Sequence, residues 1–220
     1  MEIIAHRPRR SRGLVDVAHA IASGADRVEL DVLSLDGRLI VAHDPREARR
    51  HGTPTLEAAL DLITPSDCGL LADVKGLDAA AALSAALVAL DLGARTVVSG
   101  GLESVAVAAS PGRALRAWTL PTGRRAQPGA AAGPLGWATR AACRRVQAAA
   151  TTALEAGRCD AVCADRRFVG PGLVTAVRAA GGRLLVWTVD RPAEVRQLRE
   201  LGVDGVITHD PVGVRRALEA

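Results

Sequence analysis

IIAHRPRRSRGLVDVAHAIASGADRVELDVLSLDGRLIVAHD, residues Ile3 to Asp44, carries the pattern that decides the fold. A short apolar run, Glu2–Ala5, has the length of a strand. A helix-like stretch, Val15–Ser23, follows, and then a second strand-like run, Arg27–Leu33. Strand, helix and strand in that order form the repeating unit of a parallel sheet. Asp36-Gly37 is a tight-turn dipeptide, and Arg38–Ala42 runs on from it with alternating apolar character. This predicts a small β-hairpin arm after the second strand, ending at His43.

The same alternation continues to the C-terminus. Further strand-length runs are Leu70–Val74, Thr96–Ser99, Ala114–Thr119, Asp160–Ala164, Arg183–Val189 and Gly205–Thr208. Helical stretches are expected at Leu56–Ile63, Asp78–Leu90, Leu102–Ala109, Thr139–Ala156, Gly172–Ala180, Ala193–Leu201 and Val212–Leu218. Eight strands and eight helices predict an α/β chain, a TIM (β/α)8 barrel forming one domain over residues 1–220. A doubly wound open sheet competes less well, because it needs fewer strands and a Gly-rich phosphate loop that the sequence does not supply. Composition suits an α/β design better than an aromatic-rich β-sandwich. The chain is 49% apolar but only 2% aromatic, so branched aliphatics and alanine must fill the core.

Two connections stand out. Thr53-Pro54-Thr55 offers a helix start, with proline near the first turn. Leu120–Gly136 is the longest irregular segment and falls after the fifth predicted barrel strand, on the face where barrel active sites form. It reads either as a substrate-covering loop carrying Arg124 and Arg125 or as a plain connector.

A net charge of +4 raises nucleic acid as a partner. The basic residues weigh against it: they are scattered arginines without interleaved aromatics, and Lys75 is the only lysine. In a chain so rich in arginine, one retained lysine points to a compact point charge in a tight site. Cys68, Cys143, Cys159 and Cys163 show no C-x-x-C pairing; Cys159 and Cys163, at i and i+4 on a strand, would lie about 13 Å apart, too far for a disulfide. The first residues enter a strand without a signal-peptide pattern, and no apolar run reaches membrane-spanning length. A cytoplasmic protein is expected, of open oligomeric state.

The chemistry-bearing residues cluster early. Side chains at i and i+2 of a strand share a side, so Glu29 and Asp31 project together, as do Asp73 and Lys75. Ionised carboxylates inside an apolar barrel need a positive partner. Three acids with one lysine offer hard oxygen ligands suited to one divalent cation, Mg²⁺ or Ca²⁺, rather than zinc. The competing reading pairs Glu29 and Asp31 with arginines such as Arg7 or Arg27. His6 ends the first strand and His43 the hairpin arm, where two imidazoles beside acids suit proton transfer. His19 and His51 fall on a helix and a loop and are assigned no role.

IIAHR, GADRVELDV, DGRLIVAHD, PTLEAAL, ADVK, VWTVD and GVDGVITHDP occur here in the order found in glycerophosphodiester phosphodiesterases, and the chain resembles that family over residues 1–75 and 183–211. The resemblance implies a barrel that hydrolyses a small phosphodiester to an alcohol and a phosphomonoester. It implies one divalent cation on Glu29, Asp31 and Asp73, an acid–base pair of His6 and His43, phosphate contacts from Arg7 and Lys75, and Trp187 lining the pocket against the alcohol group.

The chain departs from the family pattern in several places. His6-Arg7-Pro8 stands for His-Arg-Gly, Ser11-Arg12-Gly13 for Glu-Asn-Thr, and Asp73 for the usual glutamate before the lysine. About ten residues separate His43 from Pro54, where relatives carry an insertion. The Asp-x-Lys also resembles the related phospholipase D toxins, which imply intramolecular attack and a cyclic phosphate. A barrel that binds a phosphorylated ligand without turnover is the third reading.

Overall fold

Period-two alternation builds the barrel wall strand by strand. In this computed structural model, which describes residues 1–6, 13–108, 113–121 and 134–219 and only the backbone of 134–143, nine strands are present. They are β1 (Glu2–Ala5), β2 (Arg27–Leu35), β3 (Arg38–Val41), β4 (Gly69–Val74), β5 (Thr96–Gly100), β6 (Leu115–Thr119), β7 (Ala161–Asp165), β8 (Arg183–Trp187) and β9 (Gly205–Thr208). All but β3 are parallel, in the order β1-β9-β8-β7-β6-β5-β4-β2, and β1 pairs with β2 to close the ring. The expected TIM barrel is therefore present. β3 pairs antiparallel with β2 outside the ring, and Asp36 and Gly37 both take positive φ in the two-residue turn that joins them.

The helices are α1 (Leu14–Ala22), α2 (Pro45–Ala48), α3 (Leu56–Ile63), α4 (Leu77–Ala89), α5 (Leu102–Ala108), α6 (Pro134–Glu155), α7 (Pro171–Ala179), α8 (Pro192–Leu201) and α9 (Pro211–Glu219). In α3, Leu56, Ala59, Leu60 and Ile63 are buried, one stripe at helical spacing, and the Thr55 hydroxyl caps the start by accepting from the Ala58 N–H at 3.3 Å. Proline at the first turn of α7 and α8 and the left-handed Gly202 after α8 mark helix ends in the usual way.

Along β2, Val28, Leu30 and Val32 pack outward against helices, whereas Glu29 and Asp31 face the barrel interior. The lower interior is filled by Ile4, Leu71, Val97, Ala117, Ala161, Cys163, Leu185 and Ile207. Glu29 and Asp31 thus lie toward the upper ends of the strands, above an apolar plug.

Some boundaries differ from expectation. β2 continues to Leu35 because Ser34 and Leu35 pair with β3. Pro54 lies before the α3 cap rather than in its first turn; its carbonyl accepts from the Val41 N–H at 3.0 Å, bracing the arm. The turn α2 was not anticipated, and α6 begins at Pro134, inside the segment expected to be irregular. Residues 122–133 of that segment, with Arg124 and Arg125, lie outside the described residues.

Gly69 opens β4 where no side chain fits. A Cβ there would stand 2.5 Å from the Arg95 carbonyl oxygen and 2.8 Å from Arg27 Nη1. Gly69→Ala is expected to destabilise the fold by about 1–3 kcal/mol, because the backbone carbonyl cannot move aside as the Arg27 guanidinium can. Urea denaturation should show a lower midpoint with an unchanged m-value.

Candidate active site

The strand register assembles the acids. Asp31 and Asp73 are direct neighbours across β2 and β4, and Ser99 continues the row on β5. Glu29 sits one inward step below Asp31 on β2. Glu29 and Asp31 are buried, at 5% and 7% exposure. One oxygen from each of Glu29, Asp31 and Asp73 lies within 4.8 Å of the others. Two unit charges at that separation repel by about 3 kcal/mol or more at an effective dielectric near 20, so the cluster needs positive charge.

Lys75 supplies part of it. Its ammonium lies 2.6 Å from Asp31 Oδ1 and also pairs with Asp73 Oδ2. Burial works against the charged form, but the carboxylates of Asp73 and Asp31 outweigh it and push Lys75 up to about 12. Ser99 donates its hydroxyl to Asp73 Oδ1 at 3.2 Å. Three carboxylates and one ammonium still leave two negative charges, the complement of a divalent cation. Opposite oxygen ligands span about 4.1 Å around Mg²⁺ and about 4.9 Å around Ca²⁺. The donor set therefore fits a divalent cation in type and number, and its spread lies within that of oxygen ligands around Ca²⁺. Arg27 does not serve these acids: its Nε donates to Glu2 Oε1 at 2.6 Å, at the opposite end of the barrel.

The histidines arrive from two different elements. His6 follows β1, its backbone N–H donating to the Thr208 carbonyl at 2.7 Å. His43 follows β3, held over the mouth because the Ala42 N–H donates to the Asp31 carbonyl at 3.0 Å. The His43 N–H donates to Glu47 Oε2 at 2.9 Å, and Asp44 caps α2 by accepting from the N–H groups of Arg46 and Glu47. His6, His43, Glu29, Asp31, Asp73, Lys75 and Trp187 all line one cavity of about 740 Å³ at the C-terminal ends of the strands. Arg7 lies outside the described residues.

Other residues of this mouth escaped the sequence reading. Glu47 and Arg50, from the short stretch after the arm, line the same cavity, as do Ser99 and Cys163. Asp44-Pro45 is an N-cap followed by a first-turn proline, a signal for α2 that was present in the sequence. Complete burial, with Asp73 and Glu29 adding to it, pushes the Cys163 thiol far up, so it stays protonated. Cys68, Cys159 and Cys163 are unpaired, as expected. His209, quoted only as part of a motif, lies beside His6.

Comparison with known proteins adds a family. Residues 114–212 match the glycerophosphoryl diester phosphodiesterase family. The matched stretch begins after the acids and both site histidines and contains the VWTVD and GVDGVITHDP segments. No curated protein sequence matches the chain. Among solved structures, a phosphodiesterase from Oleispira antarctica in complex with the product sn-glycerol-3-phosphate is 18% identical, with 100% of this chain and 97% of that chain covered and a TM-score of 0.72. A glycerophosphodiester phosphodiesterase from Agrobacterium tumefaciens is 18% identical over 98% of this chain and 99% of that one, with a TM-score of 0.73. One from Parabacteroides distasonis is 18% identical over 99% and 96%, with a TM-score of 0.73. At these identities the likeness is one of fold. The family match thus covers residues 114–212, a little under half of the chain, including the VWTVD and GVDGVITHDP motifs, and the solved structures share its barrel fold.

Proposed function

We propose that residues 1–220 act as one catalytic domain that hydrolyses a glycerophosphodiester or a similar small phosphodiester to an alcohol and a phosphomonoester. One observation carries this reading: two histidines, three carboxylates and the lone lysine converge on a single cavity at the barrel mouth. Glu29, Asp31 and Asp73 would hold one Mg²⁺ or Ca²⁺ ion. When bound, the cation would supply Lewis-acid polarisation of the phosphodiester.

The chain's own residues do the rest. His6 and His43 exchange protons with the attacking water and the leaving alcohol oxygen. Lys75, protonated throughout the working pH range, offers N–H donors to the phosphate oxygens as charge builds on them. Arg7 is assigned the same task. Trp187, half-buried at the end of β8, forms an apolar wall for the alcohol group. The sn-glycerol-3-phosphate bound by the Oleispira antarctica phosphodiesterase supports a small phosphodiester substrate.

No helix among the described residues is long and apolar enough to cross a membrane. Free, buried Cys68, Cys159 and Cys163 support a place in the reducing cytoplasm. The test is phosphorus NMR of the products from glycerophosphocholine, glycerophosphoethanolamine and an aryl phosphodiester, with and without chelator. A phosphomonoester formed directly, and only when divalent cation is present, is expected. A cyclic phosphate preceding it would replace hydrolysis by intramolecular transfer. Turnover of no substrate, with metal bound, would leave a binding protein.

A further inference from the structure

Closing the barrel brings together three residues that are far apart in the chain. His6 Nδ1 lies 2.9 Å from His209 Nε2, and His209 Nδ1 lies 3.1 Å from Asp190 Oδ2. The two rings are nearly perpendicular, with centroids 4.6 Å apart and an interplanar angle of 82°. Stacking therefore does not account for the contact; an edge-directed hydrogen bond does. We propose that Asp190 and His209 form a positioning pair that grips the His6 ring at Nδ1, fixing its orientation and leaving Nε2 as the nitrogen that carries the lone pair.

The polarity follows from Asp190. Its Oδ1 accepts from the Thr208 hydroxyl at 3.0 Å and from the His209 backbone N–H at 2.8 Å. Burial raises its carboxyl, but the bonds from the His209 backbone and ring and from Thr208 outweigh burial and hold it below the usual carboxylate range. An ionised carboxylate accepts only, so His209 Nδ1 must carry a proton. In neutral His209, Nε2 is then an acceptor, and His6 Nδ1 must donate to it. The opposite tautomer of His209 would set two acceptors against each other at 3.1 Å.

The scaffold behind the pair is hydrogen-bonded. Ala5 and Thr208 are register partners on β1 and β9, the Val189 N–H donates to the Ile207 carbonyl at 3.0 Å, and the Asp210 N–H donates to the Thr208 hydroxyl at 3.0 Å. A histidine oriented through its distal nitrogen keeps one tautomer and one direction, which is what proton transfer at the other nitrogen requires. The inference rests on the acid–base reading of His6, but the first of its two readouts does not.

That readout is nitrogen-15 NMR of the histidine rings, with His6 identified by comparison with His6→Ala. Neutral His6 is expected to carry its proton on Nδ1, and His209→Ala should release it to the mixture of tautomers found in water. Two conservative variants separate positioning from structure. His209→Gln can place its amide oxygen where Nε2 stood and still accept from His6. His209→Asn reaches Asp190 but not His6. The expected result is that Gln keeps the His6 tautomer and Asn does not.

The second readout is steady-state kinetics. In His209→Ala and His209→Asn, kcat should fall about 100-fold with KM within about twofold of wild type, while His209→Gln recovers most of the loss. Rescue by Asn rather than Gln, an unchanged kcat in His209→Ala, or a His6 proton on Nε2 would overturn the proposal. The predicted tautomer in a chain that turns over no phosphodiester would uphold the positioning pair and reject the functional reading.

Discussion

Replacing His43 by alanine is expected to lower turnover about a thousandfold while leaving the melting temperature within about 2 °C of wild type, and His6→Ala should do the same. The two halves of this expectation have separate causes. His43 is exposed just after the last strand of the arm, and it is held by bonds from the Ala42 N–H to Asp31 and from its own N–H to Glu47 that survive truncation. Exposed truncations of this kind change stability by less than about 0.5 kcal/mol. The kinetic loss is large because each histidine is assigned its own proton transfer at neutral pH. Lys75 lines the same cavity, but at about 12 it is poorly matched to exchange near pH 7. Steady-state rates beside thermal melts check both halves. Turnover within tenfold of wild type in both variants would remove the histidines from the chemistry.

Asp31→Asn should have a comparably large kinetic effect with the opposite stability signature. The substitution keeps shape, retains the backbone carbonyl that accepts from Ala42, and leaves Lys75 its pair with Asp73. It also removes one of three crowded negative charges. Loss of the Lys75 pair and relief of carboxylate repulsion offset one another, so chelator-treated protein should melt near the wild-type temperature. The difference appears on adding cation. At a hundredfold excess over Kd, a specifically bound ion stabilises wild type by about 2.7 kcal/mol, or about 5–10 °C for a chain of this size. Asp31→Asn should show little of that rise and should lose turnover with it. A full cation-dependent rise in Asp31→Asn would show that the ion binds elsewhere.

Much of this structure was legible in the residues. The strands are short apolar runs separated by longer amphipathic or alanine-rich stretches, and closure follows once eight such pairs are counted. Glu29 and Asp31 could be placed inside because a period of two leaves no choice once Val28, Leu30 and Val32 face the helices. Lys75 announced itself as the one lysine in an arginine-rich chain. The short helix α2 offered only its Asp44-Pro45 start, because four residues cannot display a helical period. His209 and Asp190 escaped for a different reason: their partnership depends on the β1–β9 and β8–β9 pairings, which bring His6 within reach of a residue 203 positions away. Local pattern specifies which face a side chain takes. The tertiary register specifies which neighbour it meets there.

The central claim is that the acid cluster holds a cation on which turnover depends. Calorimetric titration of Ca²⁺ or Mg²⁺ into chelator-treated protein, with glycerophosphocholine cleavage assayed on the same samples, tests it most directly. One ion bound per chain, with cleavage rising in step with occupancy, is the predicted result. Full cleavage without a bound ion, or no ion bound at all, would contradict the claim and make Glu29, Asp31 and Asp73 a structural cluster beside Lys75.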